Sequence, residues 1–92
     1  MPASKTKHEL KCWVPYFYDI LSGKKKFEIR PDDRNFKAGD LLLLREFDPN
    51  QPDPEKRYTG RSVTKKITYV MQGNRFGLER GYVALSLDDS DQ

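Results

Sequence analysis

Ninety-two residues with 17 Lys and Arg against 14 Asp and Glu, a net of +3, make one domain with a modest core and leave no room for two. A single cysteine, Cys12, and a single histidine, His8, exclude an intramolecular disulfide and a structural four-ligand Cys/His zinc site, and no apolar run approaches the roughly 20 residues of a membrane span. Three acids, Asp88, Asp89 and Asp91, crowd the last five residues, so the body before them carries +6 and suits a polyanionic partner.

Residues 1–5 are small and charged and are expected to fray. Thr6 to Cys12 alternates, with His8, Leu10 and Cys12 on one side and Lys7, Glu9 and Lys11 on the other, and predicts a first strand in which His8 is structural. Pro15 suits a first helical turn, where its missing donor is not needed. Phe17, Ile20 and Leu21 then stand at i, i+3 and i+4, so a helix over Pro15 to Ser22 is expected to bury that stripe and turn Asp19 outward. Trp13, Tyr16 and Tyr18 flank it; packing is the first expectation for them, and presenting a ring to a nucleobase the second.

Gly23 follows the helix, at a position where a left-handed residue most readily ends one. From Lys25 to Arg30 the alternation is that of a strand with unlike faces, Lys25, Phe27 and Ile29 on one and Lys26, Glu28 and Arg30 on the other. Phe27 and Ile29 are expected in the core, and Glu28 and Arg30 together on the opposite face, bracing each other. Pro31 to Asn35 is a turn, in which Asp33 is placed to hold the Arg34 guanidinium, and Lys37 to Asp40 is a second turn. Leu41 to Phe47 opens with four leucines and reads as a strand buried on both sides.

Residues 48–57 carry Pro49, Pro52 and Pro54 without periodicity and form a loop, either an ordered lid or a flexible excursion. Arg61 to Met71 is a long β-branched strand with Val63, Ile67, Tyr69 and Met71 on one face, interrupted by Lys65, and Thr64, Lys66, Thr68 and Val70 on the other. The glycine spacing of Gln72 to Arg80 fits neither a dinucleotide nor a P-loop signature, which leaves a basic loop containing Arg75. Tyr82 to Leu87 closes the fold as a strand. Residues 88–92 are expected as a disordered acidic tail, or as a segment lying across a basic groove. The lone cysteine and the lack of an apolar leader point to a reducing, cytoplasmic setting.

Gly23, Lys25, Glu28 and Arg30 match the Gly-x-Lys-x-x-Glu-x-Arg signature of ASCH domains, and the chain resembles that family, itself related to the PUA RNA-binding fold. The wider set, His8-Glu9-Leu10-Lys11, Pro15-Tyr16-Phe17, Asp33-Arg34, Phe36, Gly39-Asp40, Gln72-Gly73 and Phe76-Gly77, is similar to the DUF3850 group, described as ASCH-like and RNA-binding. The resemblance runs from about Thr6 to Leu87. It implies an α+β, mainly β fold: a small PUA/ASCH-like β-barrel of about five to six strands with one N-terminal helix against it. It also places Lys11 at the edge of a cleft.

The expected function is recognition of single-stranded or looped RNA, with no metal or cofactor. Lys11, Lys25, Arg30, Arg34, Lys65 and Arg75 would meet phosphates, while Glu28 and Asp33 would accept from base amines or orient the arginines. The alternative is a hydrolase acting on a modified nucleoside or RNA, since some ASCH relatives are N4-acetylcytidine amidohydrolases with a Thr, Lys and Glu set and others are ribonucleases. Lys25 matches the family lysine, but Glu28 stands where the threonine would, which removes the nucleophile. Lys25, Glu28 and the late acid Glu79 would be the remaining catalytic candidates.

Overall fold

The computed structural model describes residues 6–90 and shows a curled sheet of five strands with one helix. In chain order these are β1 (Lys7–Trp13), α1 (Val14–Leu21), β2 (Phe27–Pro31), β3 (Leu41–Phe47), β4 (Tyr58–Gln72) and β5 (Tyr82–Asp89). The sheet order is β1-β3-β4-β5-β2, with β1 parallel to β3 and every other pair antiparallel. The expected small barrel is thus a half-barrel whose two outer strands, β1 and β2, do not pair. Their facing edges leave a seam.

The concave face holds the core. Leu42 and Leu44 of β3, Ile67 of β4, and Val83 and Leu85 of β5 are fully buried, each contributing about 1.5–3 kcal/mol of transfer free energy. Phe17 and Ile20 of α1 join this cluster, and the helix lies against β1 and β3. The expected stripe loses its third member, because Leu21 in the last turn is exposed. The polar side of β1 faces outward as its alternation predicts, while His8, Leu10 and Cys12 point in. His8 is structural: its Nε2 lies 2.9 Å from Asp40 Oδ2 and its ring meets Phe36 edge-on.

Two strands depart from their patterns. In β4 the pairing slips at Thr68, since Ile67 opposes Leu87 but Tyr69 opposes Ser86. This one-residue bulge transfers the inward face from Ile67 to Val70 and leaves Tyr69 and Met71 exposed. In β2 the expected faces are reversed. Phe27 and Ile29 are about half exposed and Glu28 is buried. The register explains it: Glu28 opposes Leu85 and Arg30 opposes Val83, both of which face the concave side, so Glu28 and Arg30 must face it too.

The connections are ordered by their own hydrogen bonds. Gly23 has φ of 86° after the helix, and the backbone N–H of Lys25 returns to the Asp19 carbonyl at 2.9 Å, which aims the Lys25 side chain back along the helix end. The loop after β3 contains a 3₁₀ turn, Pro54–Lys56, capped by the Asp53 carboxylate on the Glu55 N–H, and the Arg57 Nε–H donates to the Gln51 carbonyl. It is a self-bonded hairpin connection. At the far end β5 extends beyond the expected limit: Asp88 and Asp89 are strand residues opposite Lys66 and Lys65, not part of a tail. Residues 91–92 of that tail, and 1–5 at the start, lie outside the described residues.

Candidate functional site at the seam

The open seam forms a cleft of about 410 Å³, walled by Trp13 and Tyr16 on one side and by β2 on the other. Its polar center is assembled by two local features. The Gly23 turn delivers Lys25, and the reversed face of β2 delivers Glu28 and Arg30. Lys25 Nζ donates to Glu28 Oε2 at 2.5 Å, while Arg30 Nη1 stands 3.8 Å from the other carboxylate oxygen. Glu28 keeps 6% of its side-chain surface exposed, against 20% for Lys25 and 26% for Arg30. The acid is therefore the buried anchor and the cations are the accessible groups.

Aromatic rings frame these charges. The Lys25 ammonium lies 5.0 Å from the Phe27 ring center and 5.7 Å from that of Tyr16, inside the range of cation–π attraction. Trp13 and Tyr16 are each 52% exposed and Tyr18 is 59% exposed, so the expectation that these three mainly pack does not hold. A residue beside a helix start is buried only if another layer covers it. Here the half-barrel ends, and nothing among the described residues does.

Cys12 closes the floor of the cleft beside this cluster. Burial first, and the Glu28 carboxylate second, push its thiol up to about 11, so it is protonated and a poor nucleophile at neutral pH. Glu46, opposite Cys12 in the register, is a second buried acid on the concave side; it accepts from the Thr59 hydroxyl at 2.6 Å.

The remaining sequence candidates divide. Lys11 and Arg34, with Arg30, line a neighboring depression of about 320 Å³ on the β1 side of the seam. Arg34 is held there chiefly by donating from Nη1 to the Glu9 carbonyl of the β1 edge at 3.0 Å. The expected Asp33 contact is looser, at 3.8 Å between two largely exposed groups. Lys65 lines neither cleft: it sits at the end of α1, in a depression with Lys25 and Lys26, bound to Asp89 at 2.7 Å. That hydrogen bond, then the charge behind it, lowers the Asp89 carboxyl below its ordinary range. Arg75 and Glu79 are exposed on the β4–β5 connection and line none of these three depressions. The Lys25, Glu28 and Glu79 set is thus not assembled as a triad.

Trp13, Tyr16, Phe27 and Ile29 line the cleft although their sequence pattern marks them first for packing. The available signal was that Trp13 and Tyr16 lie off the Phe17 and Ile20 stripe that α1 buries, so the core does not need them.

The family model "Domain of unknown function (DUF3850)" matches residues 7–87, which takes in α1, β1 to β4 and β5 as far as Leu87. The chain belongs to the DUF3850 family. A curated relative, the "Uncharacterized 12.9 kDa protein in GpA 3'region" of Escherichia phage P2, is 41% identical over 63 residues. The match spans 68% of this chain and 52% of the relative, so it covers about half of that protein's length. Within the DUF3850 span fall both clefts, Lys25, Glu28 and Arg30 included. Among the described residues no group of three His, Cys, Asp or Glu is placed to hold a metal, and no helix is long and apolar enough to cross a membrane.

Proposed function

We propose that this DUF3850 domain binds single-stranded or looped RNA and seats one unpaired nucleotide in the seam cleft, as an ASCH-like member of the PUA superfamily. The observation that carries the reading is a buried carboxylate fixed between two accessible cations, under exposed aromatic rings, in a single concavity. Each part answers one feature of a nucleotide. Trp13 and Tyr16 offer ring faces to a base, Lys25 and Arg30 offer donors to phosphate or base acceptors, and Glu28 can accept from an exocyclic amine. A base seated between Trp13 and Tyr16 on one wall and β2 on the other must be unstacked, which favors loops and single strands over duplex. Support for the superfamily placement comes from the half-barrel with its helix after β1 and from Lys25, Glu28 and Arg30 standing together at the cleft, with Gly23 in the turn that leads to Lys25.

Fluorescence anisotropy with labeled mixed-sequence RNA tests the reading. Single-stranded RNA should bind more tightly than blunt duplex DNA, and affinity should fall steeply with salt, by about 0.7 in the logarithmic slope for each phosphate neutralized. Arg30→Glu should weaken binding by at least about tenfold, the scale of one lost charge-assisted contact. Equal binding of blunt duplex DNA, indifferent to Arg30→Glu, would refute it.

One contact favors a second reading. The short Lys25–Glu28 bond is the geometry of an acid/base pair in a sheltered site, suited to hydrolysis of a modified nucleoside. Among the described residues lining the cleft Cys12 is the only Ser, Thr or Cys, and its buried thiol, raised to about 11, is a poor nucleophile. Incubation with N4-acetylcytidine and with labeled RNA separates the two: product that disappears in Lys25→Ala makes the protein a hydrolase, and intact, retarded RNA makes it a binder.

A further inference from the structure

We infer that the depression on the β1 side of the seam is a subsite for the neighboring nucleotide, so that the ligand is a strand of two or more nucleotides crossing Trp13 in one direction. This rests on the seam cleft being a nucleotide seat. The two concavities share two residues, Trp13 and Arg30, and are therefore adjoining compartments of one track. Trp13 forms the partition, with half of its surface open. Arg30 is the cation common to both sides, where the phosphodiester linking two nucleosides would pass.

The second compartment contains what a flanking nucleotide needs. Arg34 is anchored at one end by the Glu9 carbonyl, which leaves other guanidinium N–H groups available to a phosphate. Lys11 rests its ammonium 4.5 Å over the Phe47 ring, and among the described residues it makes no ion pair with a carboxylate. Tyr58 supplies a further ring. It is clamped by the Arg45 guanidinium 4.0 Å over its face and by Phe47 edge-on, so it loses little freedom on contact with a base.

The opposite exit suits an anion less well. Beyond Lys25 the next depression holds Lys26 and Lys65, but Asp88 and Asp89 form its wall and Asp89 already occupies Lys65. Three lysines there face two carboxylates, whereas on the Arg34 side Lys11, Arg30 and Arg34 face Glu9 alone, whose carboxylate is already paired with Arg45. A strand seated in the cleft therefore continues toward Arg34.

Trp13 is the only tryptophan in the sequence, so its fluorescence reports binding without a label. The probes are an equal mixture of the four ribonucleoside monophosphates and mixed-sequence ribodinucleotides. Dinucleotides should bind about tenfold more tightly than the monophosphates, the scale of one added base stack. In Arg34→Ala, and separately in Lys11→Ala, the two affinities should converge, with far-ultraviolet circular dichroism confirming the fold. Monophosphate binding with no gain for dinucleotides would overturn the subsite and leave the seam reading intact, whereas no binding of either probe would remove both. A gain that survives both variants but disappears in Lys65→Ala would also overturn it, since the strand would then leave by the other exit.

Discussion

Replacing Glu28 with glutamine keeps the shape of the side chain and removes its charge from between Lys25 and Arg30. At an effective dielectric near 20, unit charges 2.5 Å and 3.8 Å apart attract with several kcal/mol each before desolvation is counted. Removing one partner from a fully buried pair costs about 3–5 kcal/mol, because the survivor is left uncompensated. Here the survivors are the cations, which keep 20% and 26% of their side chains in water and can rehydrate. The expected loss for Glu28→Gln is therefore at the lower end, about 2–3 kcal/mol, or about 10–20 °C in melting temperature for a domain of this size. Thermal melts at neutral pH measure it, and a double-mutant cycle with Lys25→Met apportions it. Coupling of at least about 1 kcal/mol is expected between the two sites. A Glu28→Gln variant that melts within a few degrees of the parent, or a cycle with no coupling, would refute the view of Glu28 as a buried anion organizing the cleft.

Two further outcomes test the scaffold. A Cβ at Gly73 would stand 2.0 Å from the Glu79 carbonyl oxygen and 2.7 Å from that of Tyr82, both backbone atoms that cannot swing aside. Gly73→Ala should cost about 2 kcal/mol by forcing the β4–β5 connection open, and an unchanged denaturation midpoint would show that this approach is not tight. The Cys12 thiol makes a prediction in pH. Its folded value is raised, so below pH 9.0 both states hold the proton and nothing is lost, while from there to about 11 only the unfolded chain ionizes. Stability should fall by roughly 1.4 kcal/mol per pH unit across that window. Cys12→Val should lack this component. Denaturant titrations of both proteins through the window decide it, and parallel profiles would count against the buried, anion-facing thiol.

Much of the architecture was legible without coordinates. The order of strands and helix, the inward face of β1 and the doubly buried opening of β3 follow from the alternation of apolar residues and from Gly23 and the prolines. Such patterns record which residues avoid water, a property each segment carries locally. Glu28 and Arg30 on one face were legible too, since i and i+2 in a strand share a face; the alternation set Lys25 on the opposite face with Phe27 and Ile29, and only the family signature named it with them.

What tertiary structure decided was which way faces point when both have a claim. Alternation in Phe27-Glu28-Ile29-Arg30 states that β2 has two unlike sides, but pairing with β5 selects the inner one, and Val83 and Leu85 were already directed inward by Leu87 and the core. The bulge at Thr68 did the same for β4, changing the inward residue from odd to even numbers. Ring exposure at Trp13 and Tyr16 depended on the sheet stopping short of closure. Periodicity belongs to one strand, whereas orientation and coverage belong to its neighbors, and a seam exists only where two edges that never pair come near each other.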